Sequence, residues 1–269
     1  MKLEGISKNW LELQKVSAAY GAKIVLDGVD FEIPPGKIVT VVGANGSGKS
    51  TLLKVIGRLL APHSGCVLLD GKAIDRYDTI ELSKQMAILP QLHHASGETT
   101  VEELVGFGRF PHRTGLGMQN ARDREVIAEA LRLTRLEEFR CRKLSTLSGG
   151  ERQRAWIAMT LTQEPNLLLL DEPTTFLDLR SQFEVIELVR DLNKRFGITV
   201  LMVLHDLNLA ARCSDLLVTL KDRHIKNIGT PQEILQTEIL RDIFEIESEI
   251  HFGKDKIPYC VPVGSVKLK

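Results

Sequence analysis

The stretch Gly43–Thr51, GANGSGKST, constrains this chain more than any other. It follows the apolar run KIVTVV and precedes LLKVIG, so a strand must pass the chain to a helix through a turn containing three glycines. The pattern satisfies G-x-x-x-x-G-K-[ST], in which glycines let successive backbone N–H groups converge on phosphate oxygens. Gly43, Ala44, Asn45, Gly46, Ser47, Gly48, Lys49, Ser50 and Thr51 are the expected phosphate cradle. Within it Lys49 places a charge at the β- and γ-phosphates, and the Ser50 hydroxyl is a ligand for Mg²⁺.

A phosphate loop of this kind needs an acidic residue at the end of a second buried strand. NLLLLDEP supplies it: four leucines, then Asp171, Glu172 and the strand-breaking Pro173. Asp171 is expected to hold the magnesium, through water. Glu172 stands where it can orient an attacking water or take its proton. Further strands are expected at Trp10–Val16, Ile24–Ile33, Lys37–Val42, Val67–Leu69, Gln85–Leu89, Ile198–Leu204, Leu216–Leu220 and His224–Ile228. Helices are expected at Lys49–Leu60, Arg180–Arg195 and Leu207–Ala211, and strands alternating with helices imply an α/β sheet. From Thr100 to Leu161 strand signal is nearly absent, and Val126, Ile127, Ala130, Leu131 and Leu133 fall at helical spacing. That segment reads as a helical insertion. GTPQEI then opens another helix, with Thr230 as N-cap, Pro231 at the first helical position and Glu233 closing a capping box.

Composition narrows the partners. Lys+Arg 35 against Asp+Glu 35 gives zero formal charge in 269 residues, so nothing favours a nucleic acid, whose sequence-independent binding needs a basic excess. Cys66, Cys141, Cys213 and Cys260 are widely spaced, which argues against a disulfide framework or zinc site and for a reducing cytosol. MKLEGISKNW has no apolar signal core, and the longest apolar runs, LLLL and ITVLMVL, are far short of a membrane span. A membrane role would therefore come through a partner.

A second anion-binding element lies about a hundred residues after the first. In STLSGGERQRAW a serine and two glycines precede a run of helix formers, the pattern of a helix start whose free N–H groups can hold an anion. Ser148 and the Gly149 and Gly150 amides are the candidate donors.

The order phosphate loop, L-S-G-G, hydrophobic-D-E-P resembles the ATP-binding subunits of ABC transporters, over almost the whole chain. The resemblance implies a P-loop NTPase (RecA-like) α/β core, an N-terminal antiparallel β subdomain and an inserted α-helical subdomain. It implies one domain over 1–269. The core takes about 10–92 and 162–230, the helical signature subdomain about 93–161, and C-terminal helices and a tail about 231–269. Tyr20 resembles the aromatic that stacks on adenine, Gln91 the glutamine of the lid-coupling loop and a metal ligand, Asp178 the D-loop aspartate, and His205 the switch histidine. In that family the L-S-G-G helix faces the γ-phosphate held by a second subunit. Ser148, Gly149, Gly150, Glu151 and Asp178 are then contacts across a homodimer, and Glu172, His205, Lys49 and Gln91 carry hydrolysis. Glu151 replaces the glutamine that often ends the signature.

TVEELVGFGRFPH, LSGGERQRAWIAMTLTQ, DEPTTFLDLRSQ and VLHDLNLAARCSD are similar to the ATPases of ferric-siderophore and ferric-citrate importers, with vitamin B12 and haem importers as near relatives. The implied partners are transmembrane permease subunits, docking on Leu92–Arg113, a second ATPase copy and, indirectly, a substrate-binding protein. The implied location is the cytoplasmic face of the inner membrane. Two other readings are a soluble ABC ATPase acting on DNA or ribosomes, and a regulatory module that binds ATP without turnover. The first lacks its paired domains, coiled-coil insertion or basic excess; Glu172 and His205 argue against the second. His93-His94 reads as a polar loop, because no carboxylate or cysteine cluster accompanies it.

Overall fold

The computed structural model describes residues 10–92, 94–113 and 119–266, which leaves His93 outside the described residues. The chain begins with β1 (Leu11–Tyr20), β2 (Lys23–Ile33), β3 (Ile38–Val42), α1 (Lys49–Ile56), β4 (Ser64–Leu69) and β5 (Lys72–Ala73). Next come α2 (Thr79–Gln85), β6 (Met86–Leu89), α3 (Val101–Phe107), α4 (Ala121–Leu133) and α5 (Gly149–Leu161). They are followed by β7 (Leu167–Asp171), α6 (Leu179–Phe196), β8 (Thr199–Val203), α7 (Leu207–Cys213), β9 (Leu216–Lys221) and β10 (His224–Gly229). The chain closes with α8 (Pro231–Ile234), α9 (Thr237–Phe244), β11 (Ile246–Phe252) and β12 (Pro258–Ser265). Every strand expected from the sequence overlaps an observed one. The described residues form two compact units, one within Met1–Arg76 and Thr199–Lys269, the other within Tyr77–Ile198.

In the first unit β3 lies between two parallel neighbours, β8 and β9, and β10 closes the edge antiparallel to β9. All five residues of IVTVV in β3 and of TVLMV in β8 are buried, which is why these strands read as unbroken apolar runs rather than alternating ones. The polar Thr40 is accommodated because its hydroxyl shares a 2.6 Å hydrogen bond with Ser214. A separate antiparallel sheet runs in the order β2-β1-β4-β5.

Two segments depart from expectation. α1 stops at Ile56 rather than Leu60. Gly57 ends the ladder by donating to the Leu53 carbonyl, and Arg58 turns the chain with φ 55°. The segment expected as helices and tail contains α8 and α9, but its end is a two-stranded antiparallel hairpin, β11 paired with β12 in the register Ile250↔Cys260. Its strands carry Glu247, Glu249, Pro258 and Pro262, residue types depleted in sheets, so periodicity did not expose it.

In the second unit β6 and β7 pair in parallel, with Met86 opposite Leu167 and Leu89 opposite Leu170. The helices bury Val101, Leu104 and Val105 of α3, Val126, Ile127, Ala130 and Leu131 of α4, and Ala155, Trp156, Ile157 and Ala158 of α5. Leu133 is only half-buried. A Cβ on Gly108 would lie 2.0 Å from the Met159 carbonyl oxygen, so the chain after α3 touches the α5 backbone directly.

That contact is locked by a buried guanidinium. Arg109, 3% exposed, donates through Nε to Asp123 at 2.8 Å and through Nη1 to the Thr162 carbonyl at 2.7 Å and Glu164 at 2.8 Å. Asp123 also accepts from the Asn120 N–H and so caps α4. Burial raises its pKa, but the Arg109 hydrogen bond, the Asn120 N–H and the Arg109 and Arg113 charges outweigh it and hold the carboxyl below its usual value. The contribution of this carboxylate is complete above the unfolded pKa of about 4 and is lost as pH falls through the lower folded value. Arg109→Ala leaves Asp123 charged and buried, and should cost about 3–5 kcal/mol of stability at neutral pH, as a buried pair does when one partner is removed. Urea unfolding of both proteins checks this, and a loss of well under 1 kcal/mol would refute it.

Candidate functional site

The glycine loop leaves β3 under tight backbone constraint. Gly43 has φ 156°, and a Cβ there would lie 2.3 Å from the Leu220 carbonyl oxygen at the end of β9. Gly48, the N-cap of α1, has φ 110°, and its Cβ would meet the Val25 carbonyl and the Leu26 side chain at 3.0 Å. Glycine is therefore required at both ends of the turn, first by the core sheet and then by β2. Inside the turn Lys49 is buried, and its ammonium donates to the Gly43 and Ala44 carbonyls, each at 2.9 Å. The Ser47 hydroxyl is buried with no hydrogen-bond partner, as suits an atom that donates to a phosphate oxygen. Ala44, Asn45 and Gly46 are exposed, Ser50 is half-buried and Thr51 is buried.

The same unit carries two more of the expected residues. Tyr20 ends β1 at a tight hairpin turn, opposite Lys23, and is 47% exposed, which leaves its ring face available for stacking. His205 is exposed two residues past β8. Asp206 follows it and caps α7, accepting from the Asn208 and Leu209 N–H groups at 2.8 and 2.9 Å.

In the second unit β7 delivers Asp171, 5% exposed, at its last position. Glu172 comes next, with the left-handed φ of 52°, a conformation that costs of order 1–3 kcal/mol outside glycine and persists only where surroundings hold it. They do so here. The Gln91 amide donates to Glu172 Oε2 at 2.6 Å, the Thr175 hydroxyl donates to the same oxygen at 3.0 Å, and the Thr175 N–H reaches the Glu172 carbonyl. Gln91 and Glu172, picked out separately in the sequence, thus form one constellation.

Ser148 is the N-cap of α5. Its hydroxyl accepts from the Glu151 N–H at 3.3 Å, and Glu151 accepts from the Ser148 N–H at 2.8 Å. The glutamate found where the signature often has glutamine therefore completes a capping box. The Ser148 N–H, then its hydroxyl, holds the Glu151 carboxyl below its usual range. Asp178 caps α6, accepting from the Ser181 N–H and hydroxyl at 3.0 and 2.9 Å, and these same groups lower its pKa. A Cβ on Gly150 would lie 2.6 Å from the Ser181 oxygen, and one on Gly149 3.4 Å from Leu177. The signature helix start is thus packed onto the segment holding Asp178.

Tyr20, the glycine loop and His205 belong to the first unit; Gln91, Ser148, Gly149, Gly150, Glu151, Asp171, Glu172 and Asp178 belong to the second. Two residues escaped the sequence reading. Ser181 was detectable, because Asp-x-x-Ser before a helical run is an N-cap pattern. Thr175 left no such signal.

The ABC transporter family profile matches residues 26–175. The petrobactin import ATP-binding protein FpuC of Bacillus anthracis is 47% identical over 252 residues, covering 94% of this chain and 92% of its own. The iron(3+)-hydroxamate import ATP-binding protein FhuC of Bacillus subtilis is 47% identical, with 96% and 97% covered, and the ferric enterobactin transport ATP-binding protein FepC of Escherichia coli is 39% identical, with 93% of each covered. Among solved structures, the ATP-binding cassette MJ0796, a post-hydrolysis dimer bound to ADP and Pi, superposes with TM-score 0.72 at 32% identity over 82% of this chain and 98% of its own. An ABC transporter described as of metal-chelate type, in an inward-facing conformation, superposes with TM-score 0.83 at 27% identity over 96% and 98%. Among the described residues no helix is long and apolar enough to cross a membrane.

Proposed function

The chain belongs to the ABC transporter family, and on that premise we propose that it is the ATP-binding, ATP-hydrolysing subunit of an importer for ferric siderophores. The observation that carries the hydrolase reading is the Glu172 carboxylate, held by Gln91 and Thr175 at the end of a fully buried strand. A carboxylate fixed by two donors is oriented to accept the proton of an attacking water. In the reaction Glu172 orients that water and His205 steadies it. Lys49, with the glycine-loop N–H groups and the Ser47 hydroxyl, stabilises charge developing on the terminal phosphates. Tyr20 stacks on the adenine.

Ser50, Asp171 and Gln91 all offer oxygen ligands of the hard type that suits Mg²⁺, and they are the residues that would hold it. When bound, the ion neutralises the β- and γ-phosphate oxygens.

The functional unit is a pair of copies in which Ser148 and the Gly149 and Gly150 amides of one copy face the nucleotide of the other. The Ser148 hydroxyl can do this while still accepting from the Glu151 N–H, its one proton turning from the Glu151 carboxylate to the phosphate. Phe176 supports the reading: beside Asp178 it is 91% exposed, and Leu179 next to it is also exposed, an apolar surface of the kind that marks a contact. Exposed Leu92, Phe107 and Phe110 give the permease a comparable docking surface on the segment 92–113. The subunit works at the cytoplasmic face of the membrane, and the cargo assignment rests on the relatives named for petrobactin, hydroxamate and enterobactin import.

Glu172→Gln should keep ATP affinity and lose turnover by ~10²-fold or more, measured by phosphate release; near-normal hydrolysis would remove the general base from this account. Ser148→Arg should bind ATP as the parent does but fail to dimerise with it in light scattering, and unchanged dimerisation would contradict the paired site. Reconstituted with its permease and binding protein, the chain should drive uptake of ferric siderophore in preference to ferric citrate, cobalamin or haem. Preference for one of the last three would overturn the cargo.

A further inference from the structure

The polar edge of the C-terminal hairpin is completed by a side chain rather than by another strand. In β12 the Cys260 N–H donates to Asn208 Oδ1 at 2.8 Å, and Asn208 Nδ2 donates to the Cys260 carbonyl at 3.1 Å. Both bonds point away from β11, where Cys260 stands opposite Ile250. The Asn208 amide therefore presents to Cys260 the donor and acceptor that a neighbouring strand would present, and it caps an edge that would otherwise be unpaired. Cys260 itself is buried.

Asn208 is the second residue of α7, three positions after His205. The short helix is fixed from several directions. At its far end Ser214 bonds Thr40 of β3, and along its length Leu207, Leu209, Ala210, Ala211 and Cys213 are buried. At its start Asp206 caps it, and on the preceding side the Leu204 N–H reaches the Val41 carbonyl. His205 sits between two held points, the end of β8 and the first turn of α7. The amide pair with Cys260 ties that turn to the C-terminal hairpin.

We propose that Asn208 is a positioning residue for His205, and that the C-terminal hairpin is the fixed body against which it holds the histidine's turn. The proposal rests on the reading of His205 as the residue that steadies the attacking water. Loss of the tether leaves the Asp206 cap and the buried face of α7 in place, so the helix persists, while its first turn can shift against the hairpin and carry His205 with it. The chemistry should suffer and nucleotide binding should not.

Asn208→Ala in the full chain should lower kcat by on the order of tenfold to a hundredfold, the scale of a small misplacement of a reacting group. The ATP Kd and the circular dichroism spectrum should stay as in the parent. Asn208→Asp, which can still accept from the Cys260 N–H but cannot donate to its carbonyl, should fall between the two. Cys260→Pro removes the N–H without touching α7 and should reproduce the kcat loss. In a His205→Ala background, Asn208→Ala should leave the residual turnover unchanged, because a residue acting through the histidine has nothing left to position. Parental kcat in Asn208→Ala, or an undiminished further loss in the His205→Ala background, would overturn the proposal while the histidine's role stands. Parental turnover in His205→Ala would instead remove the histidine's role, and this proposal with it.

Discussion

A strand buried on both faces cannot carry a charged group along its length, so polar chemistry begins where the strand ends. Gly43 follows β3, Asp171 is the last residue of β7 and Glu172 the next, and Gln91 and His205 each stand two residues past a strand, β6 and β8. All four strands are parallel to a neighbour. The carboxyl ends of such parallel strands are where the backbone leaves a sheet and where ligands of open α/β sheets are bound. The glycines, the strained Glu172 backbone and the capped helix starts are responses to that one restriction. Each turns the chain sharply enough to place a donor or an acceptor just beyond the apolar layer.

What the sequence made legible follows the same division. Fully buried strands write themselves as runs such as LLLL and IVTVV, and the glycine loop writes itself because its backbone tolerates no alternative. The capping box at Thr230 was legible as spacing, and the Thr230 N–H and hydroxyl both donate to Glu233. Contacts between distant positions were not. The Gln91–Glu172 bond joins residues 81 apart, and the Asn208–Cys260 pair joins residues 52 apart. No periodicity marks such a bond, since it depends on where two loops arrive rather than on what either contains. The hairpin of β11 and β12 was hidden for a related reason: its strands gain stability from the surface they dock on, and their own composition argues against them.

The helical part of the second unit shows how much order a single buried charge can impose. Arg109 satisfies a cap of α4, the carbonyl just past α5 and a carboxylate beyond it, from a position just after α3. Three helices therefore share one hydrogen-bonded centre. The segment that continues from it, Phe110–His112, is presented to solvent on a rigid base, and His112 adds a 2.8 Å bond to the Gln163 carbonyl. A docking surface of the kind proposed for this segment would gain from that base, because less backbone freedom remains to be lost when a partner arrives.

The close approach of Gly150 to Ser181 reaches beyond the folding of one sequence. With 2.6 Å between a hypothetical methyl at one position and the oxygen at the other, the two sites share a fixed volume. A larger residue at 150 forces the Ser181 side chain to shift, yet Ser181 is also the partner of Asp178. Drift at any of the three positions is thus tied to the other two. Across related chains, changes at 150, 178 and 181 should therefore be coupled, a mark of shared ancestry that individual motif matches do not record.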